Sequence, residues 1–410
     1  MISPEEAWQR LAAHLGPLPP RRVALGAAAG RVLAEEVRAT VDVPFADVSA
    51  MDGYAIAGDV AAGAVVPVLG RVAAGDDVAS LAVARGSAVR IMTGAPMPTG
   101  ADRVVPVEET DGGRESVEVR VPPPAGAHVR RRGEIHRTGD ALLGAGHRLT
   151  PGALALLAAN GAMEVAVQAP PRVALLVTGD EVVPPEATPQ PGQLRDSHTA
   201  FVSAAVAAAG GELVHLGIAR DDPRDTRERL AHGLDADLLL ATGGVSRGEL
   251  DFVEPALAEL GFQPLFDAIA IQPGKPLAAL VLERSERPAS ARPLLALGLP
   301  GNPASAMVCF WLFARPALLR LQGIEAGFWR EALTGTLAAP LPAGAKRDRF
   351  LPARLATRDG ELVVTPVSPR GSHDLTAFAQ GTGLLRIRAG SAAANAGDRC
   401  SVLPLSADWP

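Results

Sequence analysis

The sequence predicts a multidomain α/β protein: a central, mostly parallel α/β domain, a small β domain ahead of it and a small β-barrel behind it. Three observations carry this. Apolar runs at Arg172–Val177, Asp235–Thr242 and Leu294–Leu299 each end in a glycine turn, and helical stretches alternate with them, which is the pattern of a parallel sheet. Residues 41–139 are rich in Gly, Pro and Val, with short alternating runs such as ESVEVRV, which read as a β domain. From 328 to 410 short strands return between turn signals, as expected of a small barrel.

Composition narrows the function. The chain has 410 residues, long enough for several cores, and a net charge of −6, which gives no footprint for nucleic acid. Its two cysteines, Cys309 and Cys400, are too few for a disulfide framework or a zinc site, and the eight histidines lack metal-ligand spacing. The acidic opening MISPEEAWQR has no apolar signal region, and no run reaches membrane-spanning length. The expectation is a cytoplasmic protein that engages neither membrane nor nucleic acid.

Taken in order, Ser3-Pro4-Glu5-Glu6 is a capping-box start for a helix through His14. A second short helix is expected over about Ala27–Glu36. Pro151–Asn160 reads as a helix closing at Gly161, followed by the strand MEVAVQ and a proline linker at Ala169–Pro171. After the Arg172–Val177 strand, Asp196 and Ser197 stand where a helix should start, with Ser197 as N-cap. ELVHLGI is the next strand. Asp222 is the N-cap of a helix with Pro223 at its first position, which leaves Asp221, at the strand end, as the freer carboxylate. Asn302-Pro303 opens a long buried helix whose N-terminus is an anion site by backbone geometry and dipole.

Ligand sites in open α/β sheets lie outside the carboxyl ends of the strands. Here those ends bring Gly243, Gly244 and Ser246, with Arg247, Glu249 and Asp251 behind them; Glu181 after Thr178-Gly179; Asp221; and the turn Pro300-Gly301-Asn302-Pro303. Glycine lets backbone N–H groups approach an anion. Clustered carboxylates beside a phosphate-binding turn suit Mg²⁺, or general acid–base work by a carboxylate pair. Lys275, fixed between Gly274 and Pro276, is a point charge for an oxyanion.

Thr242–Asp251 (TGGVSRGELD), Thr178–Glu181 (TGDE), Pro273–Pro276 (PGKP) and Gly298–Ala306 (GLPGNPASA) resemble the molybdopterin molybdenumtransferase family, which includes bacterial MoeA and the E domain of gephyrin. Val48–Ile56 (VSAMDGYAI, with Asp52), Arg90–Glu109 (with Thr93) and Pro369–His373 (PRGSH, with Ser372) resemble its other signatures. The resemblance covers nearly the whole chain. It implies four domains: a discontinuous one at 1–40 and 140–170, the inserted β domain at 41–139, a MogA-like domain at 171–323 and the barrel at 328–410. It also implies a reaction, in which molybdate is inserted into adenylylated molybdopterin with Mg²⁺-dependent release of AMP.

Carried over position by position, the resemblance assigns Asp52, Thr93, Glu181, Asp221, Asp251 and Lys275 to catalysis. Glu181, Asp221 and Asp251 would hold Mg²⁺. Gly243, Gly244, Ser246, Pro300, Gly301, Asn302, Pro303 and Ser372 would seat the substrate. It further implies a homodimer in which Asp52 and Thr93 come from the other subunit, with a MogA-type adenylyltransferase and a molybdoenzyme as partners. The chain departs from the family pattern at Ile135, His198, Ala268 and Gln272, where an aspartate, an asparagine and two lysines are expected. The alternative these departures leave is a non-catalytic cofactor-binding or scaffold protein on the same fold. An adenylyltransferase is disfavoured by the MDGYA and MTGAPMP segments and the β tail.

Overall fold

A computed structural model describes residues 1–78, 81–244, 251–283 and 292–405. The chain forms two compact units. One comprises residues 1–34, 146–150 and 164–410; the other comprises 35–145 and 151–163.

In the larger unit the predicted apolar runs build one six-stranded sheet. Its spatial order is Glu212–Ala219, Arg172–Thr178, Leu238–Thr242, Leu294–Leu299, Ala278–Leu282 and Gln263–Phe266. The first four are mutually parallel, Ala278–Leu282 runs antiparallel to them, and Gln263–Phe266 pairs antiparallel with Ala278–Leu282. The central strands read as unbroken apolar runs because both faces are covered. Leu175, Leu240 and Leu297 face one apolar core, and Ala174, Leu239 and Ala296 face a second. The carboxyl ends of Arg172–Thr178, Leu238–Thr242 and Leu294–Leu299 therefore emerge side by side.

The long helix after Asn302 runs as Pro303–Cys309, a widened turn Phe310–Ala314 and Arg315–Leu321. Pro316 supplies the cause: it has no N–H for the carbonyl one turn back and its ring crowds that carbonyl, so the helix opens just before it. By length and composition this helix could cross a membrane, which the sequence reading did not anticipate; 78% of its apolar window is buried inside the protein. Phe310, fully buried, meets Phe201 edge-on at 5.4 Å.

The amino-terminal helix spans Pro4–Ala12, with the Ser3 hydroxyl accepting from the Glu6 N–H at 3.0 Å. The helix expected over Ala27–Glu36 is absent. Gly30 sits at φ +71°, and Val32 and Leu33 bridge to Arg148 and Val167, so their backbone groups are committed to extended pairing. The carboxyl-terminal strands Leu333–Leu337, Asp348–Arg358, Glu361–Pro366, Gly383–Ile387 and Arg399–Pro404 close into a five-stranded barrel. Asp348–Arg358 pairs with both Glu361–Pro366 and Gly383–Ile387. Ile271–Gln272 joins its edge in parallel, which sets Gln272 opposite Arg349.

The smaller unit is built on a five-stranded sheet ordered Arg103–Pro106, Gly53–Ile56, Ala88–Ile91, Ala64–Val72 and Ser116–Val119. Tyr54 is fully buried there, its hydroxyl donating to the Gly113 carbonyl at 2.8 Å. The Pro151–Ala159 helix belongs to this unit. Asn160 at its end accepts the Thr40 hydroxyl at 2.7 Å on its carbonyl.

Candidate active site

Two neighbouring cavities open in the larger unit, and the Pro276 turn borders both. The larger, of about 990 Å³, lies at the strand ends. Glu181, Asp221, Asp251, Gly243, Gly244 and the Pro300–Pro303 turn all line it, so nine of the positions expected from sequence converge. Gly243 is at φ +83°, and a Cβ there would stand 2.7 Å from the Thr178 hydroxyl and 3.0 Å from its carbonyl oxygen. Only glycine lets the turn fold back over the neighbouring strand end.

Asp221 is held by backbone. Asp221 accepts the Asp180 N–H at 3.3 Å and its own N–H donates to the Asp180 carboxylate at 3.2 Å, a reciprocal clasp between two strand ends. Asp222 caps its helix by accepting the Asp225 N–H at 2.8 Å, which leaves Asp221 to face the cavity as the sequence predicts. Ser197, expected to cap the His198–Ala208 helix, makes no capping hydrogen bond. Asp196 does so, accepting the Thr199 N–H at 3.0 Å, because Ser197 is already helical at φ −98°, ψ −17°. Among the described residues no three His, Cys, Asp or Glu side chains are close enough to hold a metal ion by themselves. Ser246, Arg247 and Glu249 lie outside the described residues.

The smaller cavity, of about 310 Å³, takes the other two expected residues of this unit, Lys275 and Ser372. Arg347, Arg349 and Ser305 join them, and no carboxylate is found among its described lining residues. The Arg349 and Lys275 side chains make no ion pair among the described residues, and Arg347 gives one N–H to the Ile271 carbonyl at 3.2 Å. The Lys275 turn is fixed from below. Gly274, at φ +109°, is covered by Cys309, whose buried thiol lies 3.6 Å from the Gly274 carbonyl. Burial pushes that thiol well above its ordinary range, so it is a neutral prop. At the helix start, the Ala304 N–H donates to the Ser372 carbonyl at 3.1 Å. One donor of the expected anion site is thus spent on docking the Pro369–His373 segment.

Sequence reasoning missed Arg347 and Arg349. A partial signal was present: Arg349 lies on the strand Asp348–Arg358 and Arg347 directly precedes it, so two cations flank the buried Asp348. What the sequence could not convey is that the fold brings both to the cavity of Lys275, more than seventy residues away.

In the smaller unit Asp52 and Thr93 are joined. The Thr93 N–H and hydroxyl donate to one Asp52 oxygen at 2.6 and 2.7 Å. The backbone N–H, then the hydroxyl, hold that exposed carboxyl below its ordinary range. Ile135, one of the departures from the family pattern, is exposed.

Comparison with known proteins agrees along the whole chain. Residues 2–161 match the MoeA N-terminal region (domain I and II), 174–320 a probable molybdopterin binding domain and 334–405 the MoeA C-terminal region (domain IV). Molybdopterin molybdenumtransferase 2 of Mycobacterium tuberculosis is 35% identical over 400 residues, covering 94% of this chain and 95% of that one. The molybdopterin molybdenumtransferase of Synechococcus elongatus is 40% identical over 314 residues, 74% of this chain and 76% of that one. Among solved structures, the molybdopterin biosynthesis MoeA protein of Pyrococcus horikoshii superposes with a TM-score of 0.81 at 28% identity, covering 99% of both chains. With its strand-end cavity, its closed barrel and relatives that span nearly its full length, the chain belongs to the molybdopterin molybdenumtransferase family, transferases of molybdenum cofactor biosynthesis.

Proposed function

We propose that the protein inserts molybdate into adenylylated molybdopterin and releases AMP in a Mg²⁺-dependent step. The observation that carries this reading is the pairing of the two cavities across Pro276. One is roomy, with glycine turns and carboxylates; the other is small and lined by three cations and two hydroxyls. A small cavity with Lys275, Arg347 and Arg349 and no described carboxylate suits a compact tetrahedral dianion. The larger cavity suits the pterin nucleotide, whose phosphates would lie along Gly243-Gly244 and the Pro300–Pro303 turn.

The donor chemistry of Glu181, Asp221 and Asp251 fits Mg²⁺, which prefers oxygen ligands and is commonly held by one or two carboxylates plus substrate phosphates. When bound, the ion would neutralise charge on the pyrophosphate. Lys275, Arg347 and Arg349 hold the oxyanion and offset its charge as it approaches a second anionic substrate. Two unit charges at about 4 Å interact with roughly 4 kcal/mol at intermediate dielectric, so removing this offset is costly. Ser305 and Ser372 orient the oxyanion by hydrogen bonds. The paired Asp52 and Thr93 are proposed to serve the same reaction from the second subunit of a homodimer, in the cytoplasm, between a MogA-type adenylyltransferase and a molybdoenzyme.

The test is AMP release by the purified chain from adenylylated molybdopterin with Mg²⁺, with and without micromolar molybdate. Release that requires molybdate supports the reading. Tight binding of the adenylate with no release in either condition would sink it.

A further inference from the structure

Three polar residues that line the larger cavity have hydrogen-bonding capacity that the protein does not use. Thr242, at the end of the central strand, is fully buried, and its hydroxyl has no hydrogen-bond partner. His198, the first residue of the His198–Ala208 helix, lines the same cavity, and its Nε2 is buried and likewise unpaired. Asp196 is 6% exposed and lines the same cavity; one of its oxygens caps the helix through the Thr199 N–H. Burial holds the His198 imidazole below its ordinary pKa, outweighing the pull of the Asp196 charge, so the ring is neutral. Buried polar groups left unpaired are costly, and several on one cavity wall mark a place where a ligand completes them.

The chemistry of the wall selects the ligand. A carboxylate repels phosphate, so this side of the cavity is unsuited to the nucleotide's phosphates. It calls instead for N–H donors. The pyrimidine edge of a pterin carries an exocyclic amino group beside a ring N–H, two adjacent donors facing one way, as a carboxylate requires. Adenine's amino group stands beside ring nitrogens that are acceptors, and a carboxylate would meet a lone pair there. A neutral imidazole and a hydroxyl can each donate or accept, which matches the alternating groups around the rest of a pterin ring. Resting on the reaction assigned above, we propose that Asp196, His198 and Thr242 form the seat of the pterin ring, with Asp196 accepting from its amino–imide edge. His198, which departs from the family's Asp-Ser-Asn pattern, is then a working contact.

The experiment uses the full chain and the variants Asp196→Asn, which keeps an oxygen for the helix cap, Thr242→Val, which keeps shape, and His198→Leu. The Michaelis constants for adenylylated molybdopterin and for molybdate, the inhibition constant of AMP, and quenching of a soluble fluorescent pterin are measured for each. The proposal expects Asp196→Asn to raise the adenylate constant by about tenfold or more, with Thr242→Val and His198→Leu in the same direction. Molybdate and AMP constants stay unchanged and pterin quenching is lost. A parallel rise in the AMP inhibition constant would place adenine on this wall and overturn the proposal. So would a wild-type level of turnover and quenching in all three variants, which would leave the reaction itself standing. A wild-type chain without molybdate-dependent release that still quenches the pterin through Asp196 would remove the reaction and keep the seat.

Discussion

Lys275 is the residue on which the oxyanion reading turns, because its position is set by a turn with little freedom. Lys275→Ala is expected to raise the Michaelis constant for molybdate about 10- to 100-fold, the worth of one charge-assisted hydrogen bond, and to leave the constant for the adenylate nearly unchanged. Steady-state kinetics with each substrate varied in turn checks this. Asp251→Ala is expected to abolish turnover while the chain still folds, since Asp251 lines the cavity and is not part of the described cores. Asp42 gives a pH signature. The Thr138 N–H first, then the Arg132 guanidinium, draw its carboxyl down to about 2. A carboxyl depressed in the folded state stabilises above its unfolded pKa, roughly 3.9, and loses that contribution as pH falls through the folded value. The melting temperature of Asp42→Asn should therefore lie below wild type at neutral pH, and the gap should close between about pH 4 and pH 2. At this scale the sequence was generous: Glu181, Asp221, Asp251 and Lys275 all stand at strand ends or turns that apolar runs and glycines announce. Arg347, Arg349 and the Thr242 hydroxyl were not singled out, because their significance lies in what faces them.

Among the elements, the buried helix and the Lys275 turn are one assembly. Phe310→Ala should cost about 3–5 kcal/mol, the usual price of a fully buried phenylalanine in a core that cannot collapse around the gap, read by denaturant unfolding. Gly274→Ala is strained twice over: φ is +109°, and the added Cβ would lie 2.7 Å from the Cys309 sulfur and 2.9 Å from Ile271. That variant should lose about 1–3 kcal/mol and weaken molybdate binding together, because the same contact that destabilises it tilts Lys275. Patterning predicted the parallel strands well, since a strand covered on both faces must be apolar throughout. It failed at Ala27–Glu36, where alanine-rich sequence suggests helix but Gly30 and the bridges to Arg148 and Val167 impose extended backbone. It also gave no sign of the widened turn at Phe310–Ala314, which comes from Pro316 within an otherwise regular apolar stretch.

For the whole molecule, the division into two units has a functional corollary under the proposed dimer. Asp52 and Thr93 belong to one unit, and the carboxylates and cations to the other. Two separately inactive chains, Asp52→Ala and Asp251→Ala, should regain activity when unfolded together and refolded as a mixture, since a mixed dimer would contain one site with both intact. Recovery is measured as molybdate-dependent AMP release; none in a mixture proven to contain mixed dimers would count against shared sites. Composition and texture made three regions of this architecture readable, because β-rich and α/β segments differ in their periodicity. That residues 146–150 and 164–168 fold with the first unit while 151–163 fold with the second was beyond pattern reading, since each segment looks locally like its neighbours.

The triad of Lys275, Arg347 and Arg349 also sets a competition. Cations around a small cavity recognise charge and tetrahedral shape, and sulfate offers both. Sulfate at its own dissociation constant halves the apparent affinity for molybdate, and at ten times that constant reduces it about elevenfold, by simple mass action. Buffers that contain sulfate or phosphate should therefore mask binding of the proposed oxyanion.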